Sequence, residues 1–475
     1  MLLLLLACGP KLEPFPEDFA FGTATAGFQV DPGCPLVDPS VCEDQHSDWY
    51  QWVTEPGLQD EPDTYLSGDP LSMGPGHHEL YAEDLERAAT MGTVFRFSFE
   101  WSRLFPDGAE QATTVAELRE LASPEALAWY HAYLDEMAAQ GLTPMATVNH
   151  YTLPLWVHDG YACHFDLSTC PARGWVDGER IIPLITLYTA FLAQEYGDQI
   201  DLWITLNEPV AVFMSGYIFP SQDRTNPPGI ADMAVGLQVA RNMALAHGQM
   251  AQALHNNDPD AQVGVVVNLG EIRPADPERE QDVLAAEHMH YLYNELIPGA
   301  FVTGAMDNDL DGSTDETLDG VAGNTDFLGL NYYFAFEVIG LGRPAPGFED
   351  YPLMDFFPDT LDTDPQGIGA ALDMTAELGL PIWITENGVA DPTDSAGQDF
   401  LLPALREVQA RAVEQDIRGY LYWSLVDNYE WNHGMDMRFG LYAVDSGTKV
   451  RTLRPIGERY QQIVSDHGLP REEEQ

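Results

Sequence analysis

The chain has 475 residues, and 76 acidic against 21 basic side chains give a net charge of −55. With 45% apolar and only 20% charged residues it can build a large core and is not a disordered polyanion. The charge excludes nucleic acid and the anionic face of a bilayer as partners, since both need a basic surface.

The first residues are Met1, five leucines, Ala7 and Cys8. Leu-Leu-Ala-Cys resembles a bacterial lipoprotein cleavage box, in which Cys8 would carry the lipid, although no basic residue precedes the apolar run. The plain alternative is a short apolar tail. No stretch approaches the roughly 18 to 20 apolar residues that span a bilayer. Residues 1–14 are therefore read as a signal remnant and tail, 15–465 as one domain, and 466–475 as an acidic tail.

Eight apolar, β-branched or aromatic runs follow in order, at 19–27, 93–101, 143–151, 202–209, 263–270, 326–333, 381–388 and 418–427. Each is almost wholly apolar until its C-terminal end, the pattern of strands buried on both faces of a parallel sheet. Between them lie helical patterns such as 124–141 and 182–197, the latter stopping at Gly197. Eight strand-then-helix units predict an α/β fold, a single (β/α)8 TIM barrel with elaborated βα loops.

Four cysteines beyond Cys8 form two close pairs, Cys34 with Cys42 and Cys163 with Cys170. Of the three connectivities possible, the spacing favours two local disulfides; neither spacing is the CxxC type of a zinc site. Disulfides point outside the cytoplasm, with a cytoplasmic location as the alternative. The segment before the sixth run places Asp307, Asp309 and Asp311 ahead of Gly312, with Asp315 beyond. This resembles a calcium loop, but Leu318 stands where a bidentate acid belongs. A structural calcium and a plain solvated loop are both open.

Gln29, Arg96, Glu100, His150, Asn207, Glu208, Asn268, Asn331, Tyr333, Glu386, Asn387 and Trp423 all fall at or just past the last third of a run. That is the rim where barrel enzymes do chemistry. Glu208 ends the fourth run and Glu386 the seventh, so the two face each other across the mouth. A facing pair of carboxyls can cleave a glycosidic bond if their environments separate their proton affinities. Arg96 and Tyr333 are placed to support an ionised Glu386, whereas Glu208, with the neutral Asn207 beside it, is expected to keep its proton. Trp423 and Trp431 offer aromatic faces, and Gln29, His150 and Glu430 polar groups, for a ring rimmed with hydroxyls.

At these residues the chain resembles glycoside hydrolase family 1, the retaining β-glucosidase and β-galactosidase family. FPEDFAFGTATAGFQ, FRFSFEWSRLFP, NHYTLPLWVHDG, TLNEP, DFLGLNYY, ITENG and GYLYWSLVDNYEWNHGMDMRFGLYAVD occur in family order from about Phe15 to Tyr460. The resemblance implies hydrolysis of terminal β-D-glucosyl, and also β-D-galactosyl or β-D-fucosyl, residues of small glycosides or oligosaccharides, with no cofactor. It implies Glu208 as acid/base and Glu386 as nucleophile. Asn207 would hold the sugar 2-hydroxyl, and Gln29, His150, Asn331, Tyr333, Trp423, Glu430 and Trp431 would complete the sugar site. Phospho-sugar members of the family lack the Glu430–Trp431 pair and carry Ser and Lys instead, which argues against phosphoglycosides. One departure stands out: Tyr151 occupies a position where the family usually has Trp or Phe. The rival class is a non-catalytic carbohydrate-binding barrel on the cell surface, which would have lost a catalytic Glu; both are present. The oligomeric state stays open.

Overall fold

The computed structural model describes residues 12–470 apart from 60, 62–63, 65, 222–223 and 396, so Cys8 and the lipoprotein reading lie outside the described residues. Eight parallel strands close into a barrel in sequence order: β1 Ala20–Ala24, β2 Val94–Ser98, β3 Thr143–Asn149, β4 Leu202–Asn207, β5 Gln262–Asn268, β6 Phe327–Tyr332, β7 Ile382–Asn387 and β8 Ile417–Trp423. The strands are shorter than the apolar runs that predicted them, because the polar ends of the runs turn into the rim loops. After β1, for example, the chain bends at once into a short helix, Gly27–Val30, that carries Gln29. Strands must also come close: a Cβ on Gly22 in β1 would lie 1.9 Å from the Val94 carbonyl oxygen of β2.

Helices cover the barrel: α1 His77–Ala88, α2 Pro124–Ala139, α3 Gly178–Tyr196, α4 Met233–Asn257, α5 Glu280–His290, α6 Ile368–Glu377, α7 Gly397–Arg411 and α8 Pro455–Asp466. Their starts follow local chemistry. Ser123 caps α2 by accepting from the Ala126 N–H with Pro124 at the first helical position, and Asp232 caps α4 through the Val235 N–H. Among the described residues no helix is long and apolar enough to cross a membrane.

Three features depart from expectation. Leu12–Pro14 pairs antiparallel with Gly468–Pro470, so the folded unit extends beyond 15–465 at both ends: backbone groups assigned to tails are satisfied by each other. The loops after β5 and β6 form a three-stranded sheet, with Ala335–Gly340 parallel to Glu271–Pro274 and antiparallel to Phe356–Asp362. Finally, only one of the two expected disulfides is present. Cys163 and Cys170 are bonded at 2.07 Å, whereas Cys34 and Cys42 are free thiols. Each free thiol is satisfied locally, Cys34 donating to the Asp31 carbonyl and Cys42 to the Pro39 carbonyl, both at 3.7 Å.

Candidate active site

Arg96, on the fully buried strand β2, organises the mouth of the barrel. Its Nη1 donates to Glu386 Oε1 at 2.6 Å, its Nη2 to Asn207 Oδ1 at 2.6 Å, and its Nε to the Thr147 hydroxyl at 3.1 Å. Asn331 Nδ2 continues the chain, donating to Glu208 Oε1 at 2.6 Å and to Asn207 Oδ1 at 3.3 Å. Tyr333 donates to the other oxygen of Glu386 at 2.6 Å. The fourth and seventh strands thus bring their carboxyls into one hydrogen-bonded set, with a single guanidinium beneath it.

Backbone irregularities aim these groups. Strand register shifts between Ile204 and Asn207 in β4, between Leu330 and Asn331 in β6, and between Ile384 and Asn387 in β7. Such bulges redirect a side chain out of the regular alternation. Glu208 sits at φ 44°, Tyr151 at φ 71° and Trp431 at φ 50°, all in the left-handed region that costs a non-glycine residue about 1–3 kcal/mol. Three such residues at one mouth mean that surrounding contacts hold them there.

Burial dominates the electrostatics. It pushes the Glu386 carboxyl up to about 7; the Arg96 charge and the Tyr333 and Arg96 hydrogen bonds pull it down, while the charge of Glu208 pushes it further up. Arg96 and Tyr333 act on Glu386 in the expected direction, against the desolvation that raises it. His150 is driven well below its ordinary value by burial and then by Arg96 and Arg224, so it is neutral. Its Nε2 lies 3.1 Å from Asn207 Nδ2 and accepts that N–H.

The residues expected to hold a sugar converge. Gln29 Nε2 donates to Glu430 Oε2 at 2.8 Å, and Asn428 Nδ2 to the same oxygen at 2.8 Å. Trp423 and Trp431 lie 5.9 and 6.0 Å from the His150 ring, each inclined by 19°. Gln29 Oε1 and His150 Nδ1 are buried with no hydrogen-bond partner in the protein, which leaves an acceptor and a donor for hydroxyls. Two rim residues belong elsewhere. Asn387 is absorbed by the Tyr332 carbonyl and the Tyr420 hydroxyl, and Glu100 accepts from Ser98, Thr152 and the Phe28 N–H.

Sequence reasoning missed two contacts. The Tyr151 hydroxyl donates to Glu208 Oε2. Arg224 lies 3.3 Å from Glu430 Oε1, with its guanidinium 5.8 Å from the centre of the Tyr151 ring. Arg224 comes from a loop with no periodicity. Its one signal was rarity, as one of 21 cations among 76 acids. In the acidic loop, oxygens of Asp307, Asp309 and Asp315 lie within 4.8 Å of one another. Asp311 is not among them; it accepts from the Ser313 N–H at 2.9 Å, which corrects its place in the calcium reading. Asp307 is already engaged by the Gly312 N–H at 2.8 Å and the Tyr291 hydroxyl at 2.9 Å, and Leu318 is buried.

The sequence profile described as glycosyl hydrolase family 1 matches residues 11–340 and 357–469. The chain belongs to that family. A β-galactosidase of Pyrococcus woesei is 30% identical, with 97% of this chain and 99% of the relative covered. β-Glucosidase A of Thermotoga maritima is 27% identical over 97% of this chain and 99% of its own. Among solved structures, the β-glycosidase of Thermosphaera aggregans superimposes with a TM-score of 0.82 at 26% identity, covering 96% of this chain and 98% of that one. This family 1 protein is a retaining β-glycosidase that needs no cofactor. The glycosidase relatives and the paired carboxyls leave no support for the non-catalytic barrel.

Proposed function

We propose that the enzyme hydrolyses terminal non-reducing β-D-glucosyl residues, and also β-D-galactosyl or β-D-fucosyl residues, through a covalent glycosyl-enzyme. Glu386 is the nucleophile and Glu208 the acid/base. A Glu386 oxygen attacks the anomeric carbon while Glu208 gives its proton to the departing oxygen. Glu208 then takes a proton from water, which attacks the same carbon and releases Glu386. The observation that carries this reading is the Arg96-centred set joining the two carboxyls. Asn207, fixed by Arg96, is positioned for the 2-hydroxyl. Gln29, His150 and Glu430 take the remaining hydroxyls, with Trp423 and Trp431 as apolar faces.

A panel of aryl β-glycosides tests the substrate, with the glucoside expected to give the highest kcat/KM. Glu208→Ala and Glu386→Ala should each lose about 10^3-fold or more with a poor leaving group. Azide added to Glu386→Gly should yield an α-configured glycosyl azide; a β product would reverse the two roles. The Cys163–Cys170 bond supports a place outside the cytoplasm. The mass of the mature N-terminus tests for lipid on Cys8.

A further inference from the structure

The side chain that sets this enzyme's acid/base apart is Tyr151, which follows β3 and the neutral His150. Its backbone is held at φ 71° and its side chain is buried. In that pose the hydroxyl reaches Glu208 Oε2, while Asn331 occupies Oε1 at 2.6 Å. Each oxygen of Glu208 therefore accepts one hydrogen bond from a neutral donor. The two donors are not equivalent: an amide NH2 can only donate, whereas a phenol can turn and accept.

We propose that Tyr151 is a positioning residue for Glu208, holding its carboxyl toward the leaving-group side and stabilising the charge left there once the glycosidic oxygen has taken the proton. This rests on the acid/base reading of Glu208 given above. The phenol donates most strongly when Glu208 is ionised, the state reached once the glycosidic oxygen has taken the proton and left again when a proton is taken from water. The phenol keeps its own proton, because burial and then the charge of Glu208 push Tyr151 well above the ordinary tyrosine range, against Arg224. The other titratable groups facing Glu208 are Glu386 on β7, Tyr333 beyond β6, Tyr293 after α5 and Arg224 on the loop after β4. None of them donates to Oε2 among the hydrogen bonds of the described residues. Arg224, stacked on the Tyr151 ring, holds Glu430 instead.

Donors on a carboxylate lower its proton affinity, so removing one raises it. In Tyr151→Phe the ring, and with it the Arg224 stack, is retained while the donor is lost, and Phe is a residue the family commonly places there. The basic limb of kcat/KM for an alkyl β-glucoside should move up by about one pH unit, with KM changed less than kcat. Tyr151→Trp, the family's other usual residue, checks that loss of the phenol and not loss of an aromatic wall is responsible. It too should lose the wild-type limb position. Glu208→Ala is run beside them. If its basic limb vanishes but Tyr151→Phe leaves the limb in place and lowers the rate evenly at all pH values, the tyrosine is only a wall and the proposal is overturned. If Glu208→Ala retains the limb, the acid/base reading falls and takes this proposal with it.

Discussion

Glu386 and Glu100 are both buried carboxyls at the barrel mouth, one ending β7 and the other two residues beyond β2. Burial pushes the first up to about 7 and the second up to about 8. By proton affinity alone, Glu100 is the more perturbed. Its surroundings differ, however. Both oxygens of Glu100 are taken by neutral donors, at 2.9 Å from Ser98, 2.6 Å from Thr152 and 3.3 Å from the Phe28 N–H. Its acidic neighbour, Asp44, is tied to the Ser102 hydroxyl and drawn by Arg103. Glu386 instead accepts directly from a guanidinium and faces a second carboxyl, Glu208. A raised carboxyl reports burial. What sets Glu386 apart is a guanidinium bonded directly to one member of a facing carboxyl pair.

The largest test of that contrast is at Arg96. Arg96→Met leaves Glu386 buried without its counter-charge, a change that costs about 3–5 kcal/mol of stability for a broken buried pair. With desolvation unopposed, Glu386 should take up its proton at still higher pH. Activity should then fall by about 10^2-fold or more near pH 6 and by less near pH 8. Arg96→Lys keeps the charge but cannot reach Glu386 and Asn207 together, so it should fold better and recover only part of the rate. Equal losses at both pH values in both variants would mean that the guanidinium acts through structure and not through the nucleophile's ionisation.

A smaller effect is read on the wild-type enzyme. A nucleophile must be ionised, and burial has raised Glu386 to about 7. Hence kcat/KM should climb as pH rises through about 7. An acidic limb well below this, near the ordinary range of a glutamate, would show that Arg96 prevails over desolvation in solution.

How far this site was legible depended on how strictly the backbone dictated it. Asn207, Glu208, Asn331 and Glu386 end strands whose apolar runs are unmistakable, so strand order alone put them across one mouth. Arg96 was legible because an arginine flanked by Phe95 and Phe97 in a strand run has to find a buried partner. The Tyr151–Glu208 contact was not, since it depends on a left-handed backbone at Tyr151 that no propensity of tyrosine announces. Arg224 and the three-stranded sheet over the rim lie in loops, where no period of two or 3.6 carries information. The Cys34–Cys42 spacing brought the two cysteines together but could not show that they meet as thiols, with Cys42 Sγ accepting from the Cys34 N–H and donating to the Pro39 carbonyl.

The smallest expected change is at Glu100, and it sharpens the contrast from the other side. A carboxyl whose proton affinity rises on folding binds more proton in the native than in the unfolded state between its two values. Stability therefore falls as pH rises from about 4.5, the unfolded value, to about 8. Glutamine mimics the protonated acid: its carbonyl can accept from Ser98 and the Phe28 N–H, and the Thr152 hydroxyl can turn to accept from its NH2. Glu100→Gln should therefore leave Tm near pH 5 within a few degrees of the wild type. It should also flatten the decline between pH 5 and 8, with kcat/KM at pH 7 changed by less than about threefold. Thermal melts across that range and one rate measurement suffice. A loss of activity comparable to that at Glu386 would place Glu100 in the chemistry, and the distinction between a carboxyl held by neutral donors alone and one bonded to a guanidinium would lose its force.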